Sequence, residues 1–100
     1  MIIVKGEARL GEGELERLRA PLNAWIAEVR QREGCLSFAY ASDLADPNLI
    51  HVIQAWRDDA SLEAHLAELG PLMHALAGAE IPLLKVDAYK ARFIKTLMGE

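Results

Sequence analysis

The chain has 100 residues, 52% hydrophobic and 26% charged, which is the size and make-up of one folded domain and excludes disordered and low-complexity classes. Eleven Lys and Arg against 15 Asp and Glu leave a net charge of −4, without the basic stripe of a protein that grips nucleic-acid phosphates. A chain this small buries only about two thirds of its unfolded surface, so a closed core and a ligand cavity compete for the same residues.

The N-terminus, Met1-Ile2-Ile3-Val4-Lys5, is too short an apolar run for a signal peptide. Nowhere does the chain offer the ~20 apolar residues of a membrane span. The expectation is a cytoplasmic protein without membrane contact. Residues 2–10 alternate, with Ile2, Val4, Gly6, Ala8 and Leu10 on one face and Ile3, Lys5, Glu7 and Arg9 on the other. Period two predicts a half-buried strand. Gly11-Glu12-Gly13 is a turn. From Glu14 the period lengthens: Leu15, Leu18, Leu22, Ile26 and Val29 form one stripe of an amphipathic helix, bordered by Trp25. Pro21 is expected to kink this helix or to mark its true start, and Gly34 to end it. Asn23 and Trp25 are candidates for a cavity wall.

Residues 35–43 read as a second strand, with Leu36, Phe38 and Tyr40 on one face and Cys35, Ser37, Ala39 and Ala41 on the other. The single cysteine permits no internal disulfide or zinc framework and reads as a small structural residue at a strand start. A turn-rich connection, 43–48, leads to a third strand, 49–57. There Ile50, Val52, Gln54 and Trp56 share one face, and His51, Ile53 and Ala55 the other. Asp58 or Asp59 caps a second helix whose stripe is Leu62, His65, Leu66 and Leu69, continued after Gly70-Pro71 by a short piece holding Met73, His74 and Leu76. Residues 83–94 are a fourth strand, and 95–100 a tail that frays or reaches a partner.

The order is βαββαβ: an α+β, ferredoxin-like domain with a four-stranded antiparallel sheet and both helices on one face. The other face is uncharged over strands two and three. Such a surface favours burial against an identical sheet, hence a homodimer; the alternative is a monomer that tolerates it. On the helix side, Gln54, Trp56 and His65 break the apolar pattern, and Tyr40 can join them. They form either a satisfied buried network or the polar part of a small-molecule pocket. The chain has no glycine-rich phosphate loop, dinucleotide fingerprint, His-x-x-x-His, Cys-x-x-Cys or Gly-x-Ser-x-Gly motif.

Gly34-Cys35-Leu36-Ser37-Phe38, Asp43-Leu44-Ala45-Asp46-Pro47-Asn48, Gln54-Ala55-Trp56 and Leu62-Glu63-Ala64-His65-Leu66 resemble the antibiotic biosynthesis monooxygenase family, including its quinol monooxygenase-like members. The resemblance implies a ferredoxin-like protomer that pairs sheets into a dimeric α+β barrel. It implies oxygenation of a small aromatic or quinol-type substrate by O₂ without cofactor or metal. Within it His65 and Trp56 fit catalytic roles; taken with the faces and helices above, Gln54, Tyr40, Phe38, Trp25 and His74 are the candidate substrate-binding residues. Two positions depart from the family pattern: Gln54 stands where Glu is usual, and Phe38 where Tyr is common. They motivate the alternative of a non-catalytic dimeric small-ligand-binding or stress-associated module. Haem degradation is disfavoured, because Gly6-Glu7 supplies no Asn on strand one.

Overall fold

The computed structural model describes residues 1–99. In chain order the elements are β1 (Ile2–Arg9), α1 (Glu14–Val29), β2 (Cys35–Ser42), β3 (Leu49–Trp56), α2 (Asp59–Leu66), α3 (Gly70–Leu76) and β4 (Leu83–Lys90). The strands form one sheet in the order β2-β3-β1-β4, every neighbouring pair antiparallel. This is the α+β, ferredoxin-like arrangement, with the second helical region divided at residues 67–69, just before the Gly70-Pro71 expected to interrupt it. Pro71 falls in the first turn of α3, where its missing N–H costs no helical bond.

Register sorts the two faces. Ile2, Val4, Gly6 and Ala8 of β1 pair with Trp56, Gln54, Val52 and Ile50 of β3. Phe38 and Tyr40 of β2 pair with Gln54 and Val52. These residues meet the helices. Ile2, Val4, Trp25, Ile26, Val29, Phe38, Trp56 and Leu62 form one buried cluster. Leu10, Leu18 and Ile50 form another.

Four expectations need correction. A bulge between Cys35 and Ser37 shifts the register of β2, so that Cys35 opposes Trp56 and packs on the core. Leu36, expected beside Phe38, is 58% exposed. Helix α1 ends at Val29, because tighter turns follow, Gln31 N–H bonding Glu28 O and Arg32 N–H bonding Val29 O. Gly34 closes that connection with φ 80°. Helix α1 runs unbroken through Pro21, at an exposed site where water can take the carbonyl the proline frees. Strand β4 stops at Lys90, since its partner β1 begins at Ile2 and the last bond is Ala91 N–H to Met1 O. Phe93 therefore lies outside the strand and is exposed. The expected tail, 95–100, is described to residue 99, with Leu97 and Met98 exposed; Glu100 lies outside the described residues.

Helix α2 is capped by Asp58, whose carboxylate accepts from Ser61 N–H at 2.8 Å. That bond, with Arg57 alongside, holds the Asp58 carboxyl below its usual range. Strand β4 is exposed along its whole length, so its helix-side residues Leu84, Val86 and Ala88 have no helix over them. Among the described residues no helix is long and apolar enough to cross a membrane.

Candidate functional site

A cavity of about 480 Å³ lies between the sheet and the helices. Val4, Ile26, Ile50, Val52, Leu62 and Leu72 make much of its apolar wall, and it reaches the exposed inner side of β4 at Leu84, Val86 and Ala88. Gln54, His65 and Tyr40 line it, and Arg19, Asn23 and Ser42 add further polar groups.

Gln54 and His65 are buried at 7% and 4% exposure. Strand alternation brings Gln54 onto the helix face. In α2 the three-residue step from Leu62 turns His65 the same way. Behind them, the indole N–H of Trp56 donates to Gln54 Oε1 at 2.9 Å. Trp56 also stacks on the His65 imidazole, with ring centroids 4.7 Å apart. Phe38 meets that ring edge-on at 5.5 Å, and Trp25 lies at 5.8 Å. The structure thus brings six of the seven sequence-selected residues into one assembly, but in two layers. Gln54 and His65 touch the cavity, while Trp56, Phe38 and Trp25 stand outside its lining and pack around the imidazole. Tyr40 joins from β2, its ring 5.4 Å from Phe38. His74 sits apart, exposed on α3 and outside the cavity lining, although its neighbours Leu72 and Leu76 line it.

Arg32 is the residue that sequence reading missed. It follows the end of α1, and its side chain is only 15% exposed. Its Nη1 lies 2.7 Å from His65 Nδ1. Its other bonds reach the His65 and Glu68 carbonyls, with the Glu68 carboxylate at 3.6 Å. The guanidinium stacks over the Trp25 ring at 4.8 Å. Nothing in one-dimensional spacing links positions 32 and 65; only the approach of the α1 and α2 ends does so.

Burial, reinforced by the Arg32 charge, lowers the His65 pKa to about 4, with Glu68 opposing weakly. The imidazole is therefore neutral at pH 7. Burial also raises the Tyr40 phenol and the Cys35 thiol, so both are protonated there. The Trp25 indole N–H is buried without a hydrogen-bond partner. It weakly favours the Tyr40 phenolate, but the two groups do not reach hydrogen-bond geometry. On the opposite sheet face, His51 Nε2 meets Asp43 Oδ1 at 2.9 Å, away from the cavity. Among the described residues, no three His, Cys, Asp or Glu side chains cluster to hold a metal ion.

The model of the antibiotic biosynthesis monooxygenase family matches residues 1–75. Among solved structures, a Deinococcus radiodurans protein, provisionally named as an antibiotic biosynthesis monooxygenase, is similar at 28% identity. The match covers 99% of this chain and 100% of that one, with a TM-score of 0.87. A Pseudomonas aeruginosa protein is 26% identical over 92% of this chain and 94% of its own, with a TM-score of 0.76. A Nitrosomonas europaea protein at 14% identity and a TM-score of 0.82 shares the fold over 93% of this chain and 100% of its own. Among curated proteins, none matches the chain.

Proposed function

We propose that this chain, which belongs to the antibiotic biosynthesis monooxygenase family, is a cofactor-independent monooxygenase that oxidises a small aromatic or quinol-type substrate with O₂. The observation that carries the reading is the cavity of about 480 Å³, apolar but for a few groups such as Gln54, His65 and Tyr40. That is the make-up of a site for one flat, mostly apolar molecule with a polar edge. A phenolate or hydroquinone anion is electron-rich enough to reduce O₂ itself, one oxygen atom entering the product and the other leaving as water. The protein then has to hold the ring, favour its anion and exclude water. Leucine, isoleucine and valine side chains hold the ring, and Gln54 and His65 meet its oxygen. Trp56 acts from behind, setting the geometry of both.

An oxygen electrode with a panel of hydroquinones and anthrones tests the reading. Turnover that falls by about 100-fold or more in His65→Ala is the expected result. Turnover undiminished in that variant removes His65 from the reaction. The second reading, a binding module without catalysis, is favoured by Gln54, which cannot take a proton as the family's usual Glu can. Binding of the same phenols without oxygen uptake would decide for it.

We also propose a homodimer through the sheet face opposite the helices. There Ser37, Ala39 and Ala41 of β2 and Ile53 and Ala55 of β3 form an uncharged surface, with Ile53 46% exposed. Pairing two such faces would bury it and leave the cavities on the outer, helix sides.

A further inference from the structure

We propose that Arg32 is a positioning residue that fixes His65 as a hydrogen-bond donor, with its proton on Nε2, so that the cavity selects a ligand arriving as an acceptor anion. The inference rests on the cavity being the substrate site and deepens that reading.

The inventory of donors and acceptors around His65 sets its tautomer. A guanidinium has five N–H donors and no acceptor. Its Nη1 is 2.7 Å from His65 Nδ1, so Nδ1 must offer its lone pair, and the proton of a neutral imidazole goes to Nε2. No described protein group bonds Nε2, and the residue lines the cavity. Gln54 is set by the same logic. An indole N–H only donates, so the Gln54 oxygen is taken by Trp56 at 2.9 Å, and the amide NH₂ remains for the cavity. Both buried polar side chains are thus held from behind as donors. Two donors and no free base favour a phenolate or enolate oxygen over the neutral hydroxyl.

Arg32 is built to hold this state. It is anchored to two carbonyls and stacked on Trp25, so it cannot swing away without losing several contacts. The charged groups near the ring are Arg32 and Glu68, and the pair favours a neutral imidazole. On the cavity wall Arg19 is charged and Gln54 and Tyr40 are uncharged; Asp87 borders it at β4, but alternation turns its carboxylate to the other face of the sheet, beside Lys85.

Two readouts test this without turnover. Long-range ¹H–¹⁵N spectra of the histidine side chains report which ring nitrogen carries the proton. The wild type is expected to show His65 as the Nε2–H tautomer from pH 8 to pH 5. Arg32→Met is expected to lose the single tautomer and to raise the midpoint by about one unit. Arg32→Lys, which keeps a donor, should recover the tautomer in part. A wild-type Nδ1–H tautomer overturns the proposal, as does an unchanged tautomer and midpoint in a folded Arg32→Met. If Arg32→Met does not fold, the wild-type tautomer and its retention in Arg32→Lys decide. The second readout is the absorbance of 4-nitrophenol. Bound to the wild type it is expected to ionise about one unit below its value in water, with the shift reduced in the Arg32 variant. A bound phenol that stays protonated at its solution value overturns the selection of an anion. Neither readout needs O₂ chemistry, so an absence of oxygen uptake sinks the oxygenase reading and leaves this one to be judged separately.

Discussion

His65 shows how little of a residue's chemistry its own position determines. Spacing from Leu62 and Leu69 turns it inward, and the buried ring then loses its hydration. The charge of Arg32 adds to that loss, so the folded protein resists protonating it. Stability therefore depends on acidity in a defined window. The unfolded chain takes up the proton near the ordinary value of 6.5, whereas the folded chain does so only near pH 4. Between those values the unfolded state binds more protons, so stability falls as pH is lowered from 6.5 to 4 and levels off below. Thermal midpoints of the wild type and His65→Phe across this range should show the slope in the wild type and its reduction in the variant. Equal slopes would mean that the imidazole titrates alike in both states.

Among the elements, β2 departs most from its pattern. Alternation pairs Leu36 with Phe38, but the bulge between Cys35 and Ser37 puts Leu36 outside and Cys35 against the core. A bulge is a property of two strands in register, and one strand's sequence carries no mark of it. Gly34, immediately before, carries a clearer one. Its φ of 80° suits glycine, and a Cβ there would run into the Ser61 side chain of α2. Both costs fall on the same substitution, so Gly34→Ala is expected to lose about 1–3 kcal/mol. A lower denaturant midpoint with an unchanged slope would show it. A midpoint equal to the wild type would mean that the loop and α2 move apart freely.

For the whole molecule, the question is what covers the sheet. The helices cover the inner face of β1, β2 and β3 and leave β4 bare. Opposite, the β1–β4 half is charged, with Lys5 across from Asp87 and Glu7 across from Lys85, while the β2–β3 half is uncharged. A homodimer formed there should sediment at twice the 11.0 kDa chain mass. Ile53→Glu, which places a carboxylate in the uncharged half, should shift it toward the monomer while the cavity variants do not. A wild-type mass equal to one chain at micromolar concentration would refute the pairing.

Periodicity is local, and so the elements it marks were legible from the chain alone. The βαββαβ order, the inward faces of β1 and β3 and the helix-side grouping of Gln54, Trp56 and His65 all follow from spacings of two, three or four residues; Gly70-Pro71 marked a break in the second helical region, which falls three residues earlier, at 67–69. Resemblance in short motifs pointed to the family. What spacing cannot express is which residues of different elements come within bonding distance. The layering that leaves Gln54 and His65 on the cavity and Trp56 behind them was decided in three dimensions. So were the exclusion of His74 and the grip of Arg32 on Nδ1. The physical reason is that hydrogen-bond roles are set by pairs: a lone His or Gln can donate or accept, and only its packed neighbour removes the choice.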